Sequence, residues 1–134
     1  MIKIAEKVPL ELRLGNFQID QNRIYDRFKP HKYIVEKKEN QALIHVSNAE
    51  FHKEIAEKAG VKTGSAVRFT DDERERVIGA GTIFVGYTTL LIDGSSRRYS
   101  PPARELIENF VPILLEKFRK HGIGATIGKV SDYL

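Results

Sequence analysis

A histidine at the start of a predicted helix is the first residue of this chain that could do chemistry. Ser47 and Glu50 have the spacing of a capping box, in which the serine hydroxyl accepts from the Glu50 amide and the carboxylate reaches back. Val46 and Phe51 would form the accompanying hydrophobic staple. His52 then lies near the positive end of the helix dipole, which favours a neutral imidazole and attracts anions. Such an imidazole could act as a general base or accept a phosphoryl group.

A purely structural role for His52 is the alternative interpretation of the same segment. In that case His52 merely flanks the apolar stripe of the helix, which includes Phe51 and Ile55. The helix is predicted to run over residues 48–59 and to end with Gly60 at its C′ position.

A second candidate site is the polar segment 93–99, which joins a predicted strand to the start of a long helix. Such junctions suit anions because unpaired backbone amides and the helix dipole point at one place. Pro101 and Pro102 have no N–H, so the donors must be preceding amides, hydroxyls and an arginine fork. The residues that could hold a phosphate there are Gly94, Ser95, Ser96, Arg97 and Arg98. The alternative is a polar loop whose arginines are solvated.

The composition excludes several classes of protein and of site. With 41% hydrophobic and 30% charged residues, the chain is predicted to form one globular domain over residues 1–134. It has no cysteine and no histidine pair with metal-site spacing, so neither a metal nor another cofactor is expected. No apolar run approaches the ~20 residues that span a bilayer, and no signal peptide is expected, which favours a cytoplasmic protein. Abundant Lys, Glu and Arg beside a single Met suit a thermophile.

The net charge of +4 favours an anionic partner. The basic residues are, however, mixed with carboxylates, as in the segment Asp71–Arg76, and form no stripe interleaved with aromatic residues. Nucleic acid is therefore not the favoured partner. The oligomeric state is not predicted.

Hydrophobic periodicity predicts the elements that must position these residues. Period-two alternation and short apolar runs predict strands at residues 8–14, 33–35, 42–46, 65–69, 77–85, 88–92 and 125–127, with a short one near 18–19. Residues 37–40 form a hairpin turn and Asp71–Arg76 a solvated loop. Of the other histidines, His31 is predicted to lie in a loop and His45 to be partly exposed.

The second main helix is the clearest element. Ser100 caps it, Pro101 occupies its first position and Gly122 ends it. Its apolar residues recur every four positions, at Leu106, Phe110, Leu114 and Phe118. Pro112 should kink or split it. Together these elements predict an α+β fold, a single compact domain with a mixed β-sheet of about five to six strands flanked by two main helices.

Several short motifs, in one order along most of the chain, resemble the Janus/Ocnus family of protein histidine phosphatases. The matching segments are residues 18–20 (its I-D turn), 32–35 (its F-K-Y-V-L strand), 49–52 (its A-E-Y-H helix start), 78–81 (its L-G-G-G strand), and 93–96 with Tyr99, Pro102 and Ala103 (its G-Y-S-x-x-Y-G-P-A loop and helix). The resemblance implies a compact mixed sheet flanked by helices. It also implies a metal-free phosphatase that acts on a phosphohistidine-bearing protein or a small phosphoramidate.

The resemblance also implies roles for particular residues. His52 matches the family's essential histidine, which activates water or takes the phosphoryl group itself. Lys32 matches its phosphate-binding lysine, and Ser96 and Arg98 fall where its loop amides hold phosphate. The chain departs from the family at Thr82, which replaces an arginine, and in having arginines in a loop where uncharged residues are usual. The segment Asp71–Arg76 is also extra.

Two other functions fit the same residues. One is a non-catalytic phosphate- or protein-binding module on the same fold. The other is a nucleic-acid-associated protein that uses the net positive charge.

Overall fold

The computed structural model describes residues 11–14, 29–39, 41–47, 49–120, 122 and 124–131. The short strand predicted near residues 18–19, the I-D motif and His121 lie outside them. Within the described residues the fold is α+β, as predicted: a mixed sheet with helices packed on its two faces.

A six-stranded sheet lies at the centre of the described part of the chain. Its strands are β1 (Glu11–Leu14), β2 (Pro30–Lys38), β3 (Gln41–Ser47), β4 (Val77–Val85), β5 (Thr89–Asp93) and β6 (Ile127–Val130). The spatial order is β1-β3-β2-β4-β5-β6, with the two outer pairs parallel and the three inner pairs antiparallel. The predicted hairpin between β2 and β3 is confirmed, and Glu39 in its turn has a φ of 56°.

Three helices are described: α1 (His52–Lys58), α2 (Asp71–Arg76) and α3 (Arg104–Lys120). Helix α3 covers one face of the sheet, where its Phe110, Leu114 and Phe118 join a buried cluster with Tyr33 of β2 and Ile83 of β4. Each such side chain contributes about 1.5–3 kcal/mol when fully buried. The apolar side chains predicted at four-residue spacing therefore form the face of α3 that packs on the sheet.

The opposite face of the sheet is covered by α1 and carries a smaller core. Ile34 of β2 and Ala80 of β4 pack there with Ile55 and Ala56 of α1 and with Tyr99. Neighbouring residues of one strand point to opposite faces. The strict alternation in β2 thus divides the sheet into an α3 face and an α1 face.

The predicted start of α1 was wrong. The helix begins at His52 rather than near residue 48, and its N-cap is Phe51, which makes no side-chain cap. The hydroxyl of Ser47 accepts from the Ala49 amide at 2.9 Å instead of capping the helix. Because Phe51 is 59% exposed, the hydrophobic staple is absent as well. The predicted end is confirmed, since Gly60 follows α1 with a φ of 87°.

The predicted solvated loop at Asp71–Arg76 is a helix, α2. Thr70 is its N-cap, and here both halves of a capping box are present. The Thr70 hydroxyl accepts from the Glu73 amide at 3.1 Å, and the Glu73 carboxylate accepts from the Thr70 amide at 3.3 Å. The spacing of Ser47 and Glu50 matched the same motif, but the motif forms at Thr70.

The long helix also begins later than predicted, at Arg104. Ser100 does not cap it; its carbonyl accepts from the Ala80 amide of β4 at 3.2 Å, so this segment lies along the sheet. The helix continues through Pro112 without splitting, and Gly122 follows it with a φ of 83°, as predicted.

Four further predictions need correction. Residues 65–69 form no strand, and Val67 is 92% exposed with nothing to pack against. The last strand is Ile127–Val130 rather than 125–127. His31 lies in β2 and is buried against Phe118. His45 is buried too, because Glu36 gives its Nε2 a partner at 2.9 Å.

No helix in the described ranges is both long and apolar enough to cross a membrane.

The contact between β4 and the segment before α3 gives a stability prediction. A Cβ on Gly79 would lie about 2.5 Å from the Pro102 Cα, so Gly79→Ala must displace backbone. We expect a loss of about 1–3 kcal/mol in the free energy of unfolding, measured by urea denaturation. Gly124→Ala is the control, since a Cβ there meets nothing within 4 Å. Equal stability of the two variants would contradict the prediction.

Candidate functional site

The described residues form a pocket of about 790 Å³ on the α1 face of the sheet. Its walls are Lys32 and Thr82 from the sheet, residues 50–54 at the start of α1, Ala66, and residues 95–98 of the loop that follows β5. The predicted residues His52, Lys32, Ser95, Ser96, Arg97 and Arg98 therefore line one cavity. Gly94 is buried beside this loop and does not line the pocket.

Strand register explains why Lys32 lies in the pocket. Ser47, Lys32, Thr82 and Asp93 are paired in turn across β3, β2, β4 and β5. Directly paired residues share a face of the sheet, so this row lies on the α1 face. Lys32 forms no ion pair or hydrogen bond with any residue that the structure describes, and its positive charge is available to an anionic ligand.

The imidazole of His52 is buried, 7% exposed, and held at both nitrogens. Its Nε2 lies 2.8 Å from the Gly81 carbonyl oxygen, and its Nδ1 lies 3.2 Å from the Ser96 Oγ. A carbonyl oxygen can only accept, so the proton of the neutral ring must be on Nε2. The lone pair is consequently on Nδ1 and directed toward the 95–98 loop.

Gly81 is the residue that allows this contact. A Cβ at this position would collide with the backbone carbonyl of Asp93 and lie 2.7 Å from the hydroxyl of Tyr33. That hydroxyl in turn donates to the Asp93 carbonyl at 2.6 Å. The carbonyl that orients His52 thus belongs to a position where only glycine fits.

Burial lowers the pKa of His52 below its usual 6.5, because the charged form loses hydration. The hydrogen bond to Gly81 opposes this effect, the positive charge of Lys32 lowers the pKa further, and Asp93 raises it. The direction of the pKa shift is the one the sequence predicted, but its main cause is burial rather than a helix dipole. At neutral pH the imidazole is therefore uncharged.

The side chains of Asp93, at the end of β5, and of Ser96 shape the loop that follows β5. Asp93 Oδ1 accepts from the amides of Ser95 at 2.9 Å and of Thr82 at 3.0 Å. Ser96 Oγ accepts from the amides of Arg98 at 3.2 Å and of Tyr99 at 3.1 Å. Thr82, which stands where the resembled family has an arginine, thus contributes its backbone to this loop.

Two amides of the loop remain for a ligand. Those of Ser96 and Arg97 donate to no described group, whereas those of Ser95 and Arg98 are used within the loop. Of the amide cradle predicted over residues 94–98, the part that lines the pocket therefore offers two neighbouring donors.

The two loop arginines differ in what their guanidinium groups contact. Arg98 is engaged by Glu73, with Nε and Nη2 each 2.9 Å from a carboxylate oxygen. Arg97 is exposed and forms no ion pair with a described residue. Between the two predicted phosphate-binding arginines, Arg97 is the one whose guanidinium can turn toward a ligand.

Three residues of the site were not predicted from the sequence. Gly81 acts through its backbone carbonyl, Asp93 through its carboxylate, and Glu73 through its pairing with Arg98. The capping-box spacing of Thr70 and Glu73 could have predicted a role for Glu73. The sequence Asp-Gly-Ser at residues 93–95 could have predicted a turn supported by the Asp93 side chain. Among the described residues, no group of three or more His, Asp or Glu side chains could hold a metal ion.

The charge of Lys32 gives a prediction for the pKa of His52. Lys32→Met should raise the pKa of His52 toward 6.5, although burial keeps it below that value. The measurement is an NMR titration of the His52 ring nitrogens. Lys53→Met is the matched control, because Lys53 also lines the pocket but is no cause of the pKa shift. An unchanged pKa in Lys32→Met, or an equal rise in Lys53→Met, would contradict this view of the site.

A scan against protein-family models and a search of curated proteins found no match to this chain, so its function is inferred from the geometry of the pocket.

Proposed function

We propose that this protein is a phosphohydrolase that removes the phosphoryl group from phosphohistidine or a related phosphoramidate without a metal ion. The observation that carries the proposal is the orientation of His52. Its Nε2–H is held by the Gly81 carbonyl, so its lone pair is on Nδ1, in a pocket that Lys32 and the two unpaired loop amides also line. The motifs that resemble the Janus/Ocnus family support the same reaction.

Phosphate binding is assigned to three kinds of donor. The Lys32 ammonium, the amides of Ser96 and Arg97, and the Arg97 guanidinium all belong to the walls of the pocket. Phosphoryl transfer involves little covalent work by the protein, so catalysis comes from positioning and from stabilising charge on the phosphoryl oxygens. The positive charges and N–H donors of the pocket can position the phosphoryl group and stabilise the charge on its oxygens near a neutral base.

His52 can act in two ways through the same atom. As a nucleophile, Nδ1 forms a bond to phosphorus while the P–N bond of the substrate breaks and the leaving nitrogen takes a proton from solvent. Water then attacks the phosphorus atom, the Nδ1–P bond breaks, phosphate leaves, and the proton lost by the water passes to solvent. As a general base, Nδ1 removes a proton from a water molecule whose oxygen attacks phosphorus directly, while the P–N bond breaks and the leaving nitrogen takes a proton from solvent.

The Ser96 side chain must turn away before either reaction, because its hydroxyl donates to Nδ1. Its oxygen is held there by the amides of Arg98 and Tyr99. Clearing Nδ1 therefore requires the Ser96 side chain to give up these two hydrogen bonds.

A P–N substrate suits this site better than a phosphate ester. The nitrogen of a phosphoramidate is basic enough to be protonated from solvent, whereas an alkoxide leaving group needs a positioned acid. A single buried base with phosphate-binding donors is therefore sufficient to hydrolyse a phosphoramidate.

The proposal predicts the effect of removing the imidazole. His52→Ala should lower the rate of phosphate release from a phosphohistidine peptide or phosphoramidate by at least about 10²-fold, within the range of about 10²–10⁴-fold for a general base. His52→Gln is the second variant, because its Nε2 amide can retain the donor for the Gly81 carbonyl. Lys53→Ala, at the pocket wall, should keep nearly full activity. Undiminished turnover in both His52 variants would refute the proposal.

A non-catalytic phosphate-binding module is the second candidate. The hydrogen bond from Ser96 to Nδ1 favours it, because that bond occupies the lone pair that a reaction needs. Absence of turnover by the wild type, together with thermal stabilisation by inorganic phosphate, would support this candidate. Stabilisation of about 2.7 kcal/mol is expected at a phosphate concentration 100 times Kd.

A further inference from the structure

Glu73 of α2 is a buried carboxylate that the proposed reaction does not use. It is 1% exposed and accepts hydrogen bonds from the Gly64 amide at 2.6 Å and from the Tyr99 hydroxyl at 2.8 Å, besides those from Thr70 and Arg98. Burial by itself would raise the pKa of Glu73, but the bonds from Gly64, Tyr99 and Arg98 outweigh it and lower the pKa. The carboxylate is therefore charged at neutral pH.

Arg98 is enclosed by the same structure. Its guanidinium forms a two-pronged pair with Glu73, donates to the carbonyls of Gly64 and Ser65, and lies 4.8 Å from the centre of the Phe69 ring. The side chain is only 12% exposed. A planar guanidinium satisfied on several sides in this way fixes the position of its own backbone.

The backbone that Arg98 fixes belongs to the phosphate-binding loop. The amides of Arg98 and Tyr99 both donate to the Ser96 Oγ, and Ser96 lies against Nδ1 of His52. Both residues are also partners of Glu73 through their side chains. A chain of direct contacts thus joins Glu73 to the reacting nitrogen.

We propose that Glu73 is a positioning residue of the hydrolase, which holds Arg98 and Tyr99 so that the 95–98 loop excludes water from His52 and presents its amides. This inference rests on the proposed function. It also gives a role to the extra segment Asp71–Arg76, which supplies the carboxylate.

A second buried carboxylate on the same face provides a matched comparison. Glu36 is as buried as Glu73, pairs with Arg76 of α2 and contacts His45, but it has no contact with the 95–98 loop. Helix α2 is thus held by two carboxylate–arginine pairs, of which only the Glu73–Arg98 pair reaches the site. Breaking either pair should lower the stability of the protein. Only breaking the Glu73–Arg98 pair should displace the 95–98 loop.

The experiment compares Glu73→Gln and Arg98→Lys with Glu36→Gln. Two measurements are made on each variant: an NMR titration that gives the pKa of His52, and steady-state kinetics that give kcat and KM for a phosphoramidate. In Glu73→Gln the pKa of His52 should rise toward 6.5 because water reaches the ring, and kcat should fall about 10- to 100-fold. Arg98→Lys should show the same changes, since an ammonium cannot form the two-pronged pair. Glu36→Gln should leave the pKa of His52 and kcat within about twofold of the wild type.

The two readouts separate this inference from the proposed function. If the wild type turns over no substrate, the proposed function fails, and the pKa of His52 still tests whether Glu73 positions the loop. An unchanged pKa of His52 in both Glu73→Gln and Arg98→Lys would overturn the inference. A change in the pKa of His52 in Glu36→Gln equal to that in Glu73→Gln would also overturn it. If Glu73→Gln does not fold, Arg98→Lys decides the outcome alone.

Discussion

The hydrogen bond from His52 Nε2 to the Gly81 carbonyl is the interaction on which the site depends. It sets the tautomer of a buried neutral imidazole and so decides which nitrogen carries the lone pair. It is possible only because position 81 has no side chain, since a Cβ there would meet the Asp93 backbone and the Tyr33 hydroxyl. Close approach of β4 and the end of β5, a property of the sheet, thereby determines the chemistry of a helix residue.

The two faces of the sheet are stabilised by different interactions. On the α3 face, apolar side chains of one long helix pack on alternate strand residues, and burial of hydrocarbon stabilises the fold. The α1 face has short helices and a small apolar core, and its buried charges are paired as Glu73–Arg98 and Glu36–Arg76. Buried ion pairs add little net stability but hold particular geometries when every oxygen and N–H has a partner. The proposed phosphate site thus lies on the face whose geometry these pairs hold.

Much of the sheet and the outline of the pocket were predictable from local patterns. Short apolar runs located β3, β4 and β5 to within one residue and the middle of β2. Lys32, His52 and residues 95–98 do line one cavity. Helix starts were less predictable. Ser47 and Glu50 have the same spacing as Thr70 and Glu73, yet only the latter pair forms a capping box. Ser47 is the last residue of a buried strand, and this placement, which the local pattern does not contain, gives its hydroxyl to a turn.

Periodicity and residue type, both local, determined the approximate positions of β2 to β5, the apolar face of α3 and which polar residues could bind an anion. The tertiary structure decided which nitrogen of His52 carries the lone pair and which loop arginine, Arg98, is held in an ion pair. Those outcomes depend on contacts between residues far apart in the chain: His52 with Gly81, 29 positions away, Ser96 with His52, 44 away, and Arg98 with Glu73, 25 away. Hydrogen-bond direction and burial at such contacts follow from the packing of strands and loops, which no short stretch of sequence specifies.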